Sequence, residues 1–472
     1  MPHVGGQLQA QFMARIRGRD LQRCLVVPVD VGKSTAMALV ADHYGEVVVE
    51  PFEFPLTEPG FAVLASAIAR SEAARSAEVV RVGVESAGHY HRTLVARLRS
   101  GGYEVVELNP AAVKESRAQQ LLARLKSDAR DLGAMAELMV RGAGRQPALR
   151  TDALATQAAW VAHRRRKVTA RVALANQVIG ELDLVFPGLD DCFKDVLRAK
   201  AGRIIVSNIS DPDRVRRQGV EGLRRFVARR GVALSTPKAT EVVEAARVAL
   251  CLPAAERAAM GRVLSADLAL LAALEGEIVA AEGALAEVLG DTPAGVLQSL
   301  PGIAVVRASN YGAGIGDPTR FPNAGAAYRA AGLVPALYES AGRTRGRQHI
   351  SREGSVDLRQ AIVELGRGLS QHDPDFKAYR RRLLNADKPP SVAAVAVGHR
   401  AHRLAFAMLR DQSPYDAAKW AKSVAAGKTA MAKTQRARQN DVTCPPPATS
   451  LAQGGEAYKN NNKNAAGRRA RG

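Results

Sequence analysis

Two short apolar runs, Leu25-Val26-Val27-Pro28-Val29 and Val79-Val80-Arg81-Val82-Gly83-Val84, each close on a carboxylate, Asp30 and Glu85. Runs of this length, rich in β-branched residues and bounded by turns, read as buried strands. Between them, 36–41 reads as a second strand, Asp42-His43-Tyr44-Gly45 as a turn and 46–52 as a third strand. Residues 58–75 and 90–99 are expected to be helical. Gly101-Gly102 then leads into a strand over 104–108, which Asn109-Pro110 stops. A meander of three strands followed by alternating helix and strand makes 21–112 an α/β unit.

Beyond it the period changes. Leu121, Leu122, Leu125, Leu132, Met135, Leu138 and Met139 recur at helical spacing until Gly142-Ala143-Gly144 breaks the pattern. Residues 150–185 are helical again and carry Arg164-Arg165-Arg166-Lys167. The segment 211–230 holds Arg214, Arg216, Arg217, Arg224, Arg225, Arg229 and Arg230. Over 253–289, Leu264, Leu268, Leu271, Leu274, Ile278, Leu285 and Val288 repeat at spacings close to three and four, which predicts helix pairing of coiled-coil type. Near Leu297 a mostly helical domain is expected to begin. In it Leu300-Pro301-Gly302-Ile303 forms a tight turn, Gly312, Gly314 and Gly316 punctuate a loop, and helices resume at 324–332 and 355–370. The end, with Pro445-Pro446-Pro447 and KNNNKNAAGRRARG, reads as a disordered basic tail. The expected division is 21–148, 149–292, 293–410 and a loose extension over 411–472.

Lys and Arg number 67 against 46 Asp and Glu, a formal charge of +21, which favours a polyanionic partner and above all nucleic acid over an anionic membrane. The first twenty residues contain no continuous apolar stretch of the secretory kind, and no run of 18 apolar residues could span a bilayer, so no membrane association is expected. Cys24, Cys192, Cys251 and Cys444 are too scattered for a zinc or redox pair, which suits a reducing, cytoplasmic setting. Aromatics make up 4% of the chain, too few for a base-stacking platform, so the arginine clusters are expected to meet phosphates instead.

Asp128 and Asp131 lie three apart on a predicted helix and share a face. If the strands ending at Asp30 and Glu85 are neighbours beneath that helix, four carboxylates converge. They then require a cation, and an all-oxygen donor set suits Mg²⁺ or Mn²⁺. Taken singly, each acid is equally explained as a turn cap or a solvated helix residue. Gly32-Lys33-Ser34 superficially resembles a phosphate loop, but Val27 stands where that loop needs its first glycine. Ser340 sits in a polar, glycine-flanked stretch followed by Arg343, Arg345, Arg347 and His349, side chains suited to phosphate oxygens. No hydrolase elbow or triad accompanies it, so on pattern alone it is also an ordinary loop serine. Ser351 and Ser355 are the alternative nucleophiles, but they read more as backbone-positioning residues around Gly354. The Pro-Gly-Ile turn is either a phosphate-holding helix-hairpin-helix or a plain helix connection.

Val29-Asp30-Val31-Gly32-Lys33, then Glu85-Ser86-Ala87-Gly88-His89-Tyr90, then Asn109-Pro110, Lys114 and Lys126-Ser127-Asp128-Ala129-Arg130-Asp131 resemble, in order and spacing, the motifs of IS110-family transposases. These are also called DEDD transposases or bridge-RNA-guided recombinases and include the related IS1111 branch. Downstream, Pro301-Gly302-Ile303, Gly332-Leu333-Val334-Pro335 and the stretch around Ser340 resemble their C-terminal transposase domain. Ser340-Ala341-Gly342 stands where Ser-Gly is common, and Pro-Gly-Ile is followed by Ala304 rather than Gly.

The resemblance implies an RNase H-like (RuvC-like) N-terminal α/β domain, a long helical or coiled-coil linker and a mostly α C-terminal transposase domain. It assigns Asp30, Glu85, Asp128 and Asp131 to a Mg²⁺ or Mn²⁺ site and Ser340 to nucleophilic attack on DNA, through a 5′-phosphoserine intermediate. It also implies donor and target double-stranded DNA, a structured noncoding guide RNA and a homo-oligomer as partners. The residues expected to contact nucleic acid are Lys114, Lys126, Arg164, Arg165, Arg166, Lys167, Arg216, Arg217, Arg224, Arg225, Arg343, Arg345, Arg347, Arg352 and Arg359. A RuvC-like structure-selective endonuclease, which would need the acids but not Ser340, and a non-enzymatic nucleic-acid-binding protein are the alternatives.

Overall fold

A computed structural model describes residues 4–86, 88–119, 128–147, 151–335, 339–340, 343–344 and 349–422, with backbone only for 4–8, 128–129, 339–340 and 343–344. Of the loose extension expected over 411–472, residues 423–472 lie outside them. Strands β1 (Cys24–Val31), β2 (Thr35–Asp42), β3 (Val47–Pro55), β4 (Val79–Glu85) and β5 (Glu104–Leu108) form one sheet in the order β3-β2-β1-β4-β5. The first three strands are antiparallel neighbours, whereas β1–β4 and β4–β5 are parallel. Around the sheet lie helices α1 (Val4–Ile16), α2 (Glu58–Arg75), α3 (His91–Ser100), α4 (Pro110–Gln119) and α5 (Asp128–Val140). This mixed sheet with flanking helices is consistent with an RNase H-like fold.

Both faces of the sheet are covered, which is why its central strands are almost continuously apolar. Leu25, Val27, Val29, Val82 and Val84 turn to one face, where Leu64 and Ile68 of α2 and Leu94 and Leu98 of α3 bury them. Val26, Leu39 and Leu108 turn to the other face, under Leu132, Met135 and Met139 of α5. Gly83 allows α5 to approach closely, since a Cβ there would lie 2.3 Å from Met139 Sδ. Gly32-Lys33-Ser34 is the turn between β1 and β2, with the Gly32 N–H donating to the Thr35 carbonyl at 2.9 Å. A strand follows it rather than a helix, so the phosphate-loop geometry is absent there.

One element was not anticipated. Helix α1 packs Phe12 and Ile16 against Cys24 and Val79 at the start of β1 and β4. Arg81, a charge inside a buried strand, is 3% exposed; its guanidinium lies 4.1 Å from the Phe12 ring centroid and 3.6 Å from Glu104 Oε1. Burial lowers its pKa, and the ring face and carboxylate together make the charge tolerable.

Helices α6 (Asp152–Val185) and α10 (Ala254–Leu289), 34 and 36 residues long, pair antiparallel. Arg164–Glu282 at 2.7 Å, Arg171–Glu275 at 3.3 Å and Gln177–Asp267 at 2.7 Å mark successive levels of the pair. The paired helix expected from the leucine spacing is therefore found within the chain. Between them, α7 (Lys200–Asn208), α8 (Pro212–Ala228, bent at Gly219) and α9 (Thr236–Val248) build a small bundle. It buries Leu182, Phe186, Leu223, Val242 and Leu264 at one end of the pair.

At the other end stands α11 (Val305–Ile315), followed by α12 (Ala324–Ala330), α13 (Val356–His372), α14 (Pro374–Asn385) and α15 (Pro390–Asp411). Gly312 and Gly314 were expected in a loop but lie within α11. A Cβ on Gly312 would come within 2.4 Å of Ala294 Cβ, and one on Gly314 within 3.1 Å of the Leu358 backbone, so these glycines permit close packing rather than a turn. No helix among the described residues is long and apolar enough to cross a membrane.

The Gly83 contact makes a measurable claim. Gly83→Val should destabilise the protein by about 1–3 kcal/mol, the usual cost of overpacking, read as a lower urea midpoint.

Candidate active site

Val29 of β1 stands opposite Val84 of β4 in a parallel pairing. Asp30 and Glu85 are each the next residue, on strands about 4.8 Å apart. Side chains alternate along a strand. With Val29 and Val84 facing α2 and α3, Asp30 and Glu85 face the side that α5 covers. The chain leaving β4 is pinned there, because the Ser86 N–H and hydroxyl both donate to the Leu108 carbonyl at 3.0 Å.

The course of α5 sets Asp128 and Asp131 at the helix end away from its anchored last turn. Its last turn is anchored where the strands begin: Gln9 Nε2 donates to the Arg141 carbonyl at 2.5 Å, and Gly142 rests on Gln9 and Phe12. From there its 13 residues, about 20 Å, run back toward the strand ends. Asp128 and Asp131 lie at the far end of that run. Asp131 is 6% exposed, and Arg117 of α4 donates to its Oδ1 at 2.6 Å. Asp30 and Glu85 are half-buried. Of the four acids, Asp131 is the most buried whose side chain is described, and it already has a cation beside it. All the donors are hard oxygens, the chemistry that fits Mg²⁺ or Mn²⁺. Among the described residues no three His, Cys, Asp or Glu side chains gather closely enough to hold a metal ion, and the Asp128 side chain lies outside that set.

Two family comparisons match separate parts of this chain. Residues 27–187 match the DEDD-type IS110 transposase family, and residues 294–381 match the transposase IS116/IS110/IS902 family. Over these two segments the chain is similar to IS110/IS116-family transposases. It is 27% identical over 390 residues to the insertion element IS116 uncharacterized 44.8 kDa protein of Streptomyces clavuligerus, a match covering 82% of this chain and 94% of that protein. It is 31% identical over 121 residues to the insertion element IS110 uncharacterized 43.6 kDa protein of Streptomyces coelicolor, covering 26% of this chain and 30% of that one.

Within the second matched segment, Ser340 ends β6 (Glu339–Ser340), which pairs antiparallel with β7 (Arg343–Thr344), Ser340 opposite Arg343. The serine expected in a loop therefore sits on a strand of a hairpin. The base of the excursion is tied by a bridge between Pro335 and Ile350, by Ser351 N–H to Val334 O at 2.8 Å and by Arg352 N–H to Gly332 O at 3.0 Å. Arg359 braces it further, its Nε donating to Ala331 O at 2.9 Å and its Nη2 to Arg352 O at 2.8 Å. Its guanidinium, expected on nucleic acid, holds backbone carbonyls. Ser355 caps α13, accepting from the Leu358 N–H at 3.2 Å, and Ser351 accepts from the Glu353 N–H at 3.4 Å, as their reading as positioning residues required. Arg352 is exposed at a positive φ of 58°. Arg345, Arg347 and Lys126 lie outside the described residues, and only the backbone of Arg343 is described.

The basic helices are less uniform than their sequence implied. Arg164 pairs with Glu282, Arg165 with Asp357, Arg216 with Asp213 and Arg224 with Glu221. Within the described residues no ion pair is formed by Lys114, Arg166, Lys167, Arg217 or Arg225. Of these, Lys114, Arg166, Arg217 and Arg225 are exposed and Lys167 is partly buried.

Sequence reasoning missed a buried polar link among the C-terminal helices. His402 of α15 is fully buried, its Nε2–H donating to the Ala324 carbonyl at 2.8 Å while its Nδ1 lies 2.8 Å from the Tyr311 hydroxyl. A carbonyl can only accept, so Nδ1 is the unprotonated nitrogen and Tyr311 donates to it. The link fastens α11, α12 and α15 at the start of the helix that leads to the hairpin. Burial lowers the imidazole pKa from 6.5 to about 4.

Between those values the unfolded chain takes up a proton that the folded chain refuses. The stability that His402 contributes is complete above pH 6.5 and is lost as pH falls toward 4. Between pH 7 and 5, wild type should lose about 2 kcal/mol more than His402→Gln, measured by urea denaturation at both pH values.

Proposed function

We propose that this chain is a DNA transposase of the recombinase type, in which the carboxylate face and Ser340 serve one strand-exchange reaction. The observation that carries the reading is the placement of Asp30 and Glu85 at adjacent parallel strand ends, on the face whose covering helix begins with Asp128 and carries Asp131. Asp30, Glu85, Asp128 and Asp131 would hold Mg²⁺ or Mn²⁺, which supplies positive charge to the oxygens of a phosphodiester.

The chain's own groups define the rest. Ser340 Oγ attacks the scissile phosphorus, an Oγ–P bond forming as the P–O3′ bond breaks. The proton lost by the serine is balanced by one gained at the 3′-oxygen. The 5′-phosphoserine conserves the energy of the broken bond, and a 3′-hydroxyl of the exchanged strand then attacks it, regenerating Ser340. No nucleotide hydrolysis enters, in keeping with a Gly-Lys-Ser segment that is a strand turn. Arg343, Arg345 and Arg347 are proposed to clamp the phosphate, and Arg166, Lys167, Arg217 and Arg225 to track nucleic-acid backbone. The partners proposed are donor and target DNA, a structured noncoding RNA that pairs with both, and further copies of this chain, acting in the cytoplasm.

Full-length protein incubated with Mg²⁺ and DNA carrying the element's ends should give a protein–DNA adduct that survives denaturation. Ser340→Ala should abolish the adduct, and Asp30→Ala should slow its formation by about 10²–10³-fold. Strand exchange that persists in Ser340→Ala would shift the reading to a metal-dependent junction endonuclease.

A further inference from the structure

Arg117 belongs to none of the sequence motifs, yet among the described residues it pairs with the buried acid of the candidate site. It projects from the third turn of α4, whose Val113 and Ser116 pack on α5, with Ser116 Oγ donating to Glu137 Oε2 at 3.0 Å. Its Nη1 lies 2.6 Å from Asp131 Oδ1, the two side chains being 23% and 8% exposed. A carboxylate so buried has lost much of its water, and the guanidinium beside it supplies compensating charge. A divalent ion bound by the same acids would supply that compensation itself and would compete with the guanidinium for Oδ1.

We propose that Arg117 is a resident counter-ion of the carboxylate face, which a divalent ion displaces from Asp131 and which then pairs with a nucleic-acid phosphate. The inference rests on reading Asp30, Glu85, Asp128 and Asp131 as a metal site. Three properties support it. Arg117 is partly exposed, so its head can leave without unpacking α4. Guanidinium is planar and forms paired hydrogen bonds with phosphate as readily as with carboxylate. The exchange also keeps charge in step: when the incoming ion takes over Asp131, the released guanidinium meets the incoming negative charge of the strand. A plain structural clamp between α4 and α5 would behave in the opposite way, because removing it would disorder Asp131 and weaken the metal site.

The test measures Mn²⁺ affinity of the full-length protein by electron paramagnetic resonance, together with affinity for a duplex oligonucleotide with and without Mn²⁺. In Arg117→Gln, Mn²⁺ should bind roughly tenfold more tightly, as expected when a competing cation is removed. The gain in DNA affinity that Mn²⁺ confers on wild type should shrink by roughly fivefold in the same variant. A variant too unstable to titrate is read by its Mn²⁺-induced rise in Tm, which must exceed that of wild type. Arg117→Lys keeps the charge and should bind Mn²⁺ within about twofold of wild type. If Mn²⁺ binds wild type and Arg117→Gln binds it equally or more weakly, the counter-ion role is overturned and the metal site stands. If wild type and Arg117→Gln both fail to bind Mn²⁺, the metal reading itself falls, and the inference with it.

Discussion

The parallel pairing of β1 with β4 is the constraint on which the candidate site depends. Strands separated by more than forty residues are brought side by side with Val29 opposite Val84, and this register sets Asp30 and Glu85 together at one end. A slip of one residue would turn one of the two acids into the apolar layer beneath α2 and α3, at the cost of burying an unpaired charge. Core packing and site geometry therefore exclude the same errors. The alternation that buries Val29 and Val84 is what directs Asp30 and Glu85 toward α5.

Much of this arrangement could be read in the sequence because it is written in local periodicity. The strand ending at Asp30, the helix over Glu58–Arg75 and the strand over Glu104–Leu108 follow from β-branched runs, a continuous helical stretch and an Asn-Pro stop. The long helices α6 and α10 were legible for the same reason. The glycines of α11 were not. Their spacing looks like a loop, and only the proximity of Ala294 and Leu358, brought there by tertiary packing, explains why a helix needs small residues at Gly312 and Gly314. Among the acids, the sequence showed which could share a face. It could not show that Arg117 would reach Asp131, since that depends on how α4 leans on α5.

The basic surface shows a related limit. A run such as Arg164-Arg165-Arg166-Lys167 appears as one cationic patch in the sequence, but a helix distributes consecutive residues around its circumference at about 100° each. Arg164 and Arg165 accordingly meet Glu282 and Asp357, while Arg166 and Lys167 form no ion pair within the described residues. Charge density along the chain gives the sign of the partner, and helix geometry decides which cations remain to meet it. Arg359, aimed at three carbonyls around Gly332 and Gly354, shows a cation serving the backbone instead.

The stacking of Arg81 on Phe12 bears on where the sheet domain physically begins. The apolar periodicity begins near residue 21, and everything before it could pass for a dispensable leader. Yet α1 shields a guanidinium embedded in the sheet's own hydrogen-bonded ladder, anchors the last turn of α5 through Gln9, and joins Arg15 to Glu104 at 2.6 Å. Trimming the chain to its most regular part would uncover a charge in the middle of β4 and loosen the far end of the helix that carries Asp131. The opening helix is thus a wedge against which the sheet and the last turn of α5 come to rest.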